Sequence, residues 1–156
     1  MILGIDPGLS GCLVVLEPNM AYLRHLHMPT MKLASKNRVN GAALAAFLRE
    51  HPVRHAYLEQ VGAMPGGGER KMGAASAFSF GHSAGGVEMA LQVLGIPYTL
   101  VTPQVWKKRA GLQGKEKDAA RARAIQLYPG VRDLDLKAKG QALADAMLIA
   151  RYGSGA

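Results

Sequence analysis

Met1-Ile-Leu-Gly-Ile-Asp-Pro-Gly-Leu-Ser-Gly-Cys-Leu-Val-Val-Leu-Glu17 is the stretch whose reading decides the fold. Two apolar runs of strand length flank Asp6-Pro-Gly-Leu-Ser-Gly11, and punctuation of this kind between such runs reads as a β-hairpin. Pro7 biases Asp6 toward an extended backbone. Gly8 and Gly11 let the chain reverse without side chains crowding the carboxylate. Asp6 is then a lone acid at the open edge of a sheet core. A turn-initiating aspartate is the plainer alternative, and the rest of the chain decides between them.

Residues 22–28 alternate loosely and add a third strand. Residues 29–40, with five basic or amide side chains, read as a loop. Leu44, Phe47 and Leu48 stand at helical spacing, which predicts a short helix over 41–50 that His51-Pro52 ends. The next strand covers 53–61, with Glu59 near its C-terminal end. Residues 62–73 are glycine-rich and carry Arg70 and Lys71, reading as a loop that orders over nucleic acid. The longest helical pattern, 74–94, has a first half of small and polar residues that permits close approach of another backbone. A strand follows at 98–101. Thr102-Pro103 supplies an N-cap and a first-turn proline for a helix through Arg109. Further helices are predicted over 115–127 and 141–152. Three strands, helix, strand, helix, strand and then helices imply an α/β fold. Its mixed five-stranded sheet has an antiparallel hairpin on one side and parallel βαβ crossovers on the other.

With 156 residues, 49% of them hydrophobic, the chain reads as one domain over 1–156 with a substantial core. No apolar run spans a membrane, and no secretory signal opens the sequence. The single cysteine, Cys12, sits in a strand pattern and reads as a buried thiol. Cytoplasmic residence is expected by default. The net charge of +8 suggests a polyanionic partner, nucleic acid first. The cations are clustered: residues 1–23 hold no Lys or Arg, while Arg70-Lys71, Lys107-Lys108-Arg109, Lys115, Lys117 and Arg121 lie in groups. Arg70, Lys71, Lys107, Lys108, Lys115 and Arg121 are the candidate DNA contacts.

Three acids occupy positions where charge is costly. Asp6 and Glu59 end strands that crossover rules make parallel neighbours, so both project at one sheet edge. Asp145 is the only charge in Ala142-Leu-Ala-Asp-Ala-Met-Leu-Ile-Ala150, a run apolar around the whole helix. Burial there demands a partner or a metal; a buried salt bridge is the competing reading. Clustered carboxylates without a His/Cys set suit hard cations, Mg²⁺ or Mn²⁺. On a basic protein the implied chemistry is phosphodiester hydrolysis with two ions per site.

Ile2-Leu-Gly-Ile-Asp-Pro-Gly8, Tyr57-Leu-Glu-Gln60, Val105-Trp-Lys107 and Ala144-Asp-Ala-Met-Leu-Ile-Ala150 together resemble the RuvC-type Holliday junction resolvases of the ribonuclease H-like superfamily. Trp106-Lys107, Lys117-Asp118 and Leu148-Ile-Ala-Arg-Tyr-Gly153 resemble its phage and chloroplast branch. The resemblance implies a homodimer that binds four-way DNA junctions and nicks them in pairs. It makes Asp6, Glu59 and Asp145 metal ligands and places Lys117 in the active site. One departure stands out. Members usually carry an acid or histidine a turn before the last aspartate, where this chain has Gln141, a neutral candidate ligand. A branched-DNA-binding module without cleavage is therefore the second hypothesis. An actin-like phosphate loop is a third, but it needs two such domains, so no nucleotide cofactor is expected.

Overall fold

A computed structural model of the chain describes residues 1–60, 62 and 73–153. β1 (Ile2–Asp6), β2 (Cys12–Leu16) and β3 (Tyr22–His27) form an antiparallel meander. A separate hairpin follows, β4 (Thr30–Leu33) and β5 (Lys36–Val39). Next come α1 (Gly41–Arg49), β6 (His55–Glu59), α2 (Ala74–Val93), β7 (Tyr98–Val101), α3 (Pro103–Arg109), α4 (Ala119–Leu127), a 3₁₀ turn (Arg132–Asp135) and α5 (Ala138–Tyr152). The main sheet has the order β3-β2-β1-β6-β7, with β6 parallel to β1 and β7 parallel to β6. This is the expected mixed five-stranded sheet.

Helices cover both faces. Leu3, Ile5, Leu13 and Val15 pack with Leu44, Phe47 and Leu48 of α1 and Val87 and Leu91 of α2. Cys12, Val14 and Leu16 face Ala124 of α4 and Leu143, Ala146 and Met147 of α5. Strands buried on both faces read as continuous apolar runs, which is why β2 is apolar at every position. Asn40 caps α1 through Ala43 N–H, and Thr102 caps α3 through Val105 N–H, as its sequence predicted. A Cβ on Gly4 would run into the carbonyl of Ala146 and into Ala150, so α5 lies directly on the β1 backbone.

The sequence reading needs four corrections. Residues 29–40 are not a loop but hold the β4–β5 hairpin, whose turn places Ala34 and Ser35 at positive φ without glycine. The strand expected over 53–61 is shorter, ending at Glu59. The helix expected from 115 starts at Ala119, because Gly114 turns at positive φ just before it. The last helix begins earlier than expected, at Ala138. The glycine-rich loop with Arg70 and Lys71 lies outside the described residues.

Candidate functional site

Strand alternation places the first two acids. Ile2, Gly4 and Asp6 share the β1 face that meets α5, and Leu3 and Ile5 take the other. The parallel register pairs Ile5 with Leu58, so Asp6 and Glu59 come next on adjacent strands at the same edge. α5 contributes Asp145 from above. Its backbone can approach so closely because Gly4 has no side chain. The turn after β1 is tight for the same reason: Gly11 N–H donates to the Gly8 carbonyl at 2.8 Å, and a Cβ on Gly11 would strike the Asp6 carbonyl.

Two of the carboxylates are each held by one neutral donor, and the Gly8 backbone N–H lowers the pKa of the third, Asp6. The indole Nε1 of Trp106, itself buried, donates to Glu59 Oε1 at 2.9 Å. Gln141 Nε2 donates to Asp145 Oδ1 at 3.0 Å, one helical turn away. Gln141 is thus where the sequence reading put it, but its amide nitrogen is the atom turned to the aspartate.

Burial raises the pKa of all three acids. The shift is largest for Asp145, pushed up to about 7, first by desolvation and then by the charges of Asp6 and Glu59. Two cations oppose this at a distance. Lys117 lowers Asp6, and Lys107 lowers both Glu59 and Asp145. Lys107 Nζ sits 5.3 Å from the centre of the Trp106 ring, so one helix turn delivers a carboxylate clamp and a cation together. Among the described residues none of the three acids makes an ion pair. Nor do any three His, Cys, Asp or Glu side chains stand close enough to share one ion. The donor set nevertheless fits a hard divalent cation: like charges, largely dehydrated and without a counterion, are stabilised by one.

A cleft of about 480 Å³ opens beside Asp6, lined by the Gly8–Gly11 turn and by Ser76, Ser79 and Phe80 of α2. The sequence reading marked this small and polar half of α2 as open to close approach of another backbone, but it did not place it beside Asp6. It also counted Lys107 only as a DNA contact. The Trp106-Lys107 pair was the available signal, because a lone tryptophan beside a lysine at a helix end has a reason to be buried.

Lys107, Lys108 and Lys115 are exposed. Lys115 lines a separate hollow of about 360 Å³ with Arg123 and Gln126. Arg121 is engaged within the chain: it pairs with Asp118 at 2.8 Å and donates to the Leu134 carbonyl. No helix among the described residues is long and apolar enough to cross a membrane.

The sequence matches no family model and no curated protein. Solved structures do match. A Thermus thermophilus RuvC in complex with a Holliday junction substrate superposes with a TM-score of 0.66 at 20% identity, over 97% of this chain and 90% of that one. A second Thermus thermophilus RuvC structure gives 0.61 at 18% identity, over 99% of this chain and 96% of its own. Identity this low speaks for architecture, and the chain has the ribonuclease H-like fold of RuvC.

Proposed function

We propose that this chain is a structure-specific DNA endonuclease that resolves four-way junctions by metal-dependent phosphodiester hydrolysis, with residues 1–156 forming one nuclease unit. The observation that carries the reading is the trio Asp6, Glu59 and Asp145, half-buried together at one sheet edge with no ion pair among the described residues, on a chain of net charge +8. The same fold holds a Holliday junction in a solved RuvC complex.

Asp6, Glu59 and Asp145 would hold Mg²⁺ or Mn²⁺, two ions per site. Bound there, the ions supply an activated water and charge neutralisation at the leaving oxygen. Trp106 and Gln141 hold two of the carboxylates in fixed rotamers, which limits the reorganisation each must undergo. Lys117 acts on Asp6, and Lys107 on Glu59 and Asp145. Each offers a fixed cation to the phosphoryl oxygens as negative charge grows on them. Lys107, Lys108, Lys115, Arg121, Arg70 and Lys71 supply phosphate contacts, with Arg121 acting only if it leaves Asp118.

Resolution needs two nicks and each chain carries one acid trio, so the working unit is a homodimer. The face of α2 opposite its buried Ser83, Val87 and Leu91 is apolar and open. Phe78 is 65% exposed and Val93 76%. A second copy of the chain is the natural cover.

Asp6→Asn removes an anionic ligand and leaves the basic surface untouched. It is expected to bind a labelled four-way junction like the wild type and to lose Mg²⁺-dependent nicking, with EDTA doing the same to the wild type. Full activity in Asp6→Asn sinks the assignment. The alternative, a junction-binding module that does not cut, is favoured by one observation: position 141 contributes an amide N–H and no anion. In that case the wild type binds the junction and leaves it intact at every metal concentration.

A further inference from the structure

The β4–β5 hairpin is the part of the fold with no task in the preceding account, and its charge is one-sided. Residues 18–49 contain no Asp or Glu and five cations: Arg24, Lys32, Lys36, Arg38 and Arg49. Arg24 is spent on Glu50 at 2.6 Å. Lys32, Lys36 and Arg38 all lie in the hairpin, and among the described residues none of them makes an ion pair. Charged side chains on a free strand edge commonly serve to block edge-to-edge aggregation. That purpose is met by either sign and by one or two residues, and it does not explain three like charges in ten residues with no acid among them.

The hairpin's root is equally particular. Asp6 pairs with Cys12, and Cys12 pairs in turn with His27, so the last residue of β3 lies in the same row as the aspartate. Met28 N–H then donates to the Gly11 carbonyl at 2.9 Å, and Asn40 N–H donates to the Pro29 carbonyl at 2.8 Å, closing the base. The hairpin therefore springs from the carboxylate edge, beside the turn that lines the cleft at Asp6. Four-residue strands carry it about 13 Å outward. Its register pairs Met31 with Arg38 and Leu33 with Lys36, which puts two cations and two exposed apolar side chains on one face. Cationic heads meet phosphates while apolar side chains lie against sugar and groove wall, and a two-stranded ribbon is narrow enough for a B-DNA groove.

We propose that the hairpin from Thr30 to Val39 is a second DNA contact, in which Lys36 and Arg38 on one face and Lys32, opposite Asn37, on the other grip the backbones of a duplex arm leaving the active site. This rests on the reading of the chain as a junction nuclease. An acidic protein or an anionic membrane would also answer the charge. Duplex DNA is favoured because the hairpin starts at the edge where the phosphodiester would be held.

The test is anisotropy on a labelled four-way junction, in EDTA, from 50 to 300 mM KCl, with wild type and K32A/K36A/R38A. Each lost phosphate contact lowers the salt slope by about 0.9. The triple variant is expected to flatten it by between two and three and to raise Kd at least ten-fold at 100 mM KCl. K32R/K36R/R38K, which keeps the charge, retains the wild-type slope. Should the triple alanine variant unfold by circular dichroism, the single variants Lys32→Ala, Lys36→Ala and Arg38→Ala each flatten the slope by about one. Wild-type slope and Kd in the alanine variants overturn the inference while leaving the nuclease reading intact. Loss of binding to phosphatidylserine vesicles with junction binding unchanged also overturns it. A wild type that binds no junction at any salt sinks the nuclease reading itself.

Discussion

Asp145→Asn is expected to stabilise the metal-free protein while abolishing its cutting. The carboxyl of Asp145 titrates near 7 in the fold, against an ordinary value of 3.8. Between those two pH values the folded chain binds more protons than the unfolded one, so stability falls as pH rises and is lowest above 7. At about 1.4 kcal/mol per pH unit, the ionised group costs up to about 4 kcal/mol at pH 8. Solvent screening of this half-buried group reduces that to about 2 kcal/mol. An asparagine keeps the shape and still accepts the Gln141 N–H through its side-chain oxygen, but it carries no charge to desolvate. For a chain of this length 2 kcal/mol corresponds to about 4–8 °C in Tm.

The assay is thermal unfolding by circular dichroism in EDTA at pH 8 and pH 5. At pH 8 the variant should melt above the wild type; at pH 5, where the folded carboxyl is protonated but the unfolded one is still ionised, the gap should be smaller, and it closes only below about 3.8. Mg²⁺ should raise the wild-type Tm at pH 8 more than that of the variant. An equal change in Tm at both pH values would show that packing, and not the buried charge, governs this position. A variant less stable than wild type at pH 8 refutes the reasoning outright.

Two more outcomes follow from the same charges. Lys117→Ala should lower the nicking rate by about 10²–10³, the usual scale for losing one group that stabilises transition-state charge, with junction affinity little changed, whereas Lys115→Ala, facing a separate hollow, should alter affinity and not rate. Gln141→Asp adds an anion to a site without a counterion, so it should lower the Mg²⁺ concentration for half-maximal nicking and lower Tm in EDTA at pH 8.

The positions of Asp6, Glu59 and Asp145 were legible in the sequence because each interrupts a pattern: a strand ending in an acid, and a helix apolar all round with one charge. Burial makes such interruptions expensive, so they are informative. Lys107 was legible only as a cation. Its placement near Glu59 and Asp145 depends on Trp106 turning inward to bond Glu59, a tertiary event that spacing along α3 does not encode. Gly4 had the same limitation. Within β1 it reads as a weak strand residue, and its meaning, contact between the β1 backbone and α5, exists only once the helix has docked.

The β4–β5 hairpin escaped for the opposite reason, a lack of burial. Strand patterns come from one face meeting a core, and here both strands are largely exposed, with Met31, Leu33, Lys32 and Lys36 in solvent and Arg38 half-buried. No Asn-Gly or Asp-Gly marks the turn, since Ala34 and Ser35 take the positive φ values that such pairs normally supply. Non-glycine residues in that region cost on the order of 1 kcal/mol each. A ribbon that buries little apolar surface recovers little of that cost from its own contacts. The cations along it, which make no ion pair among the described residues, identify the chemistry of that surface: it is built to meet a polyanion.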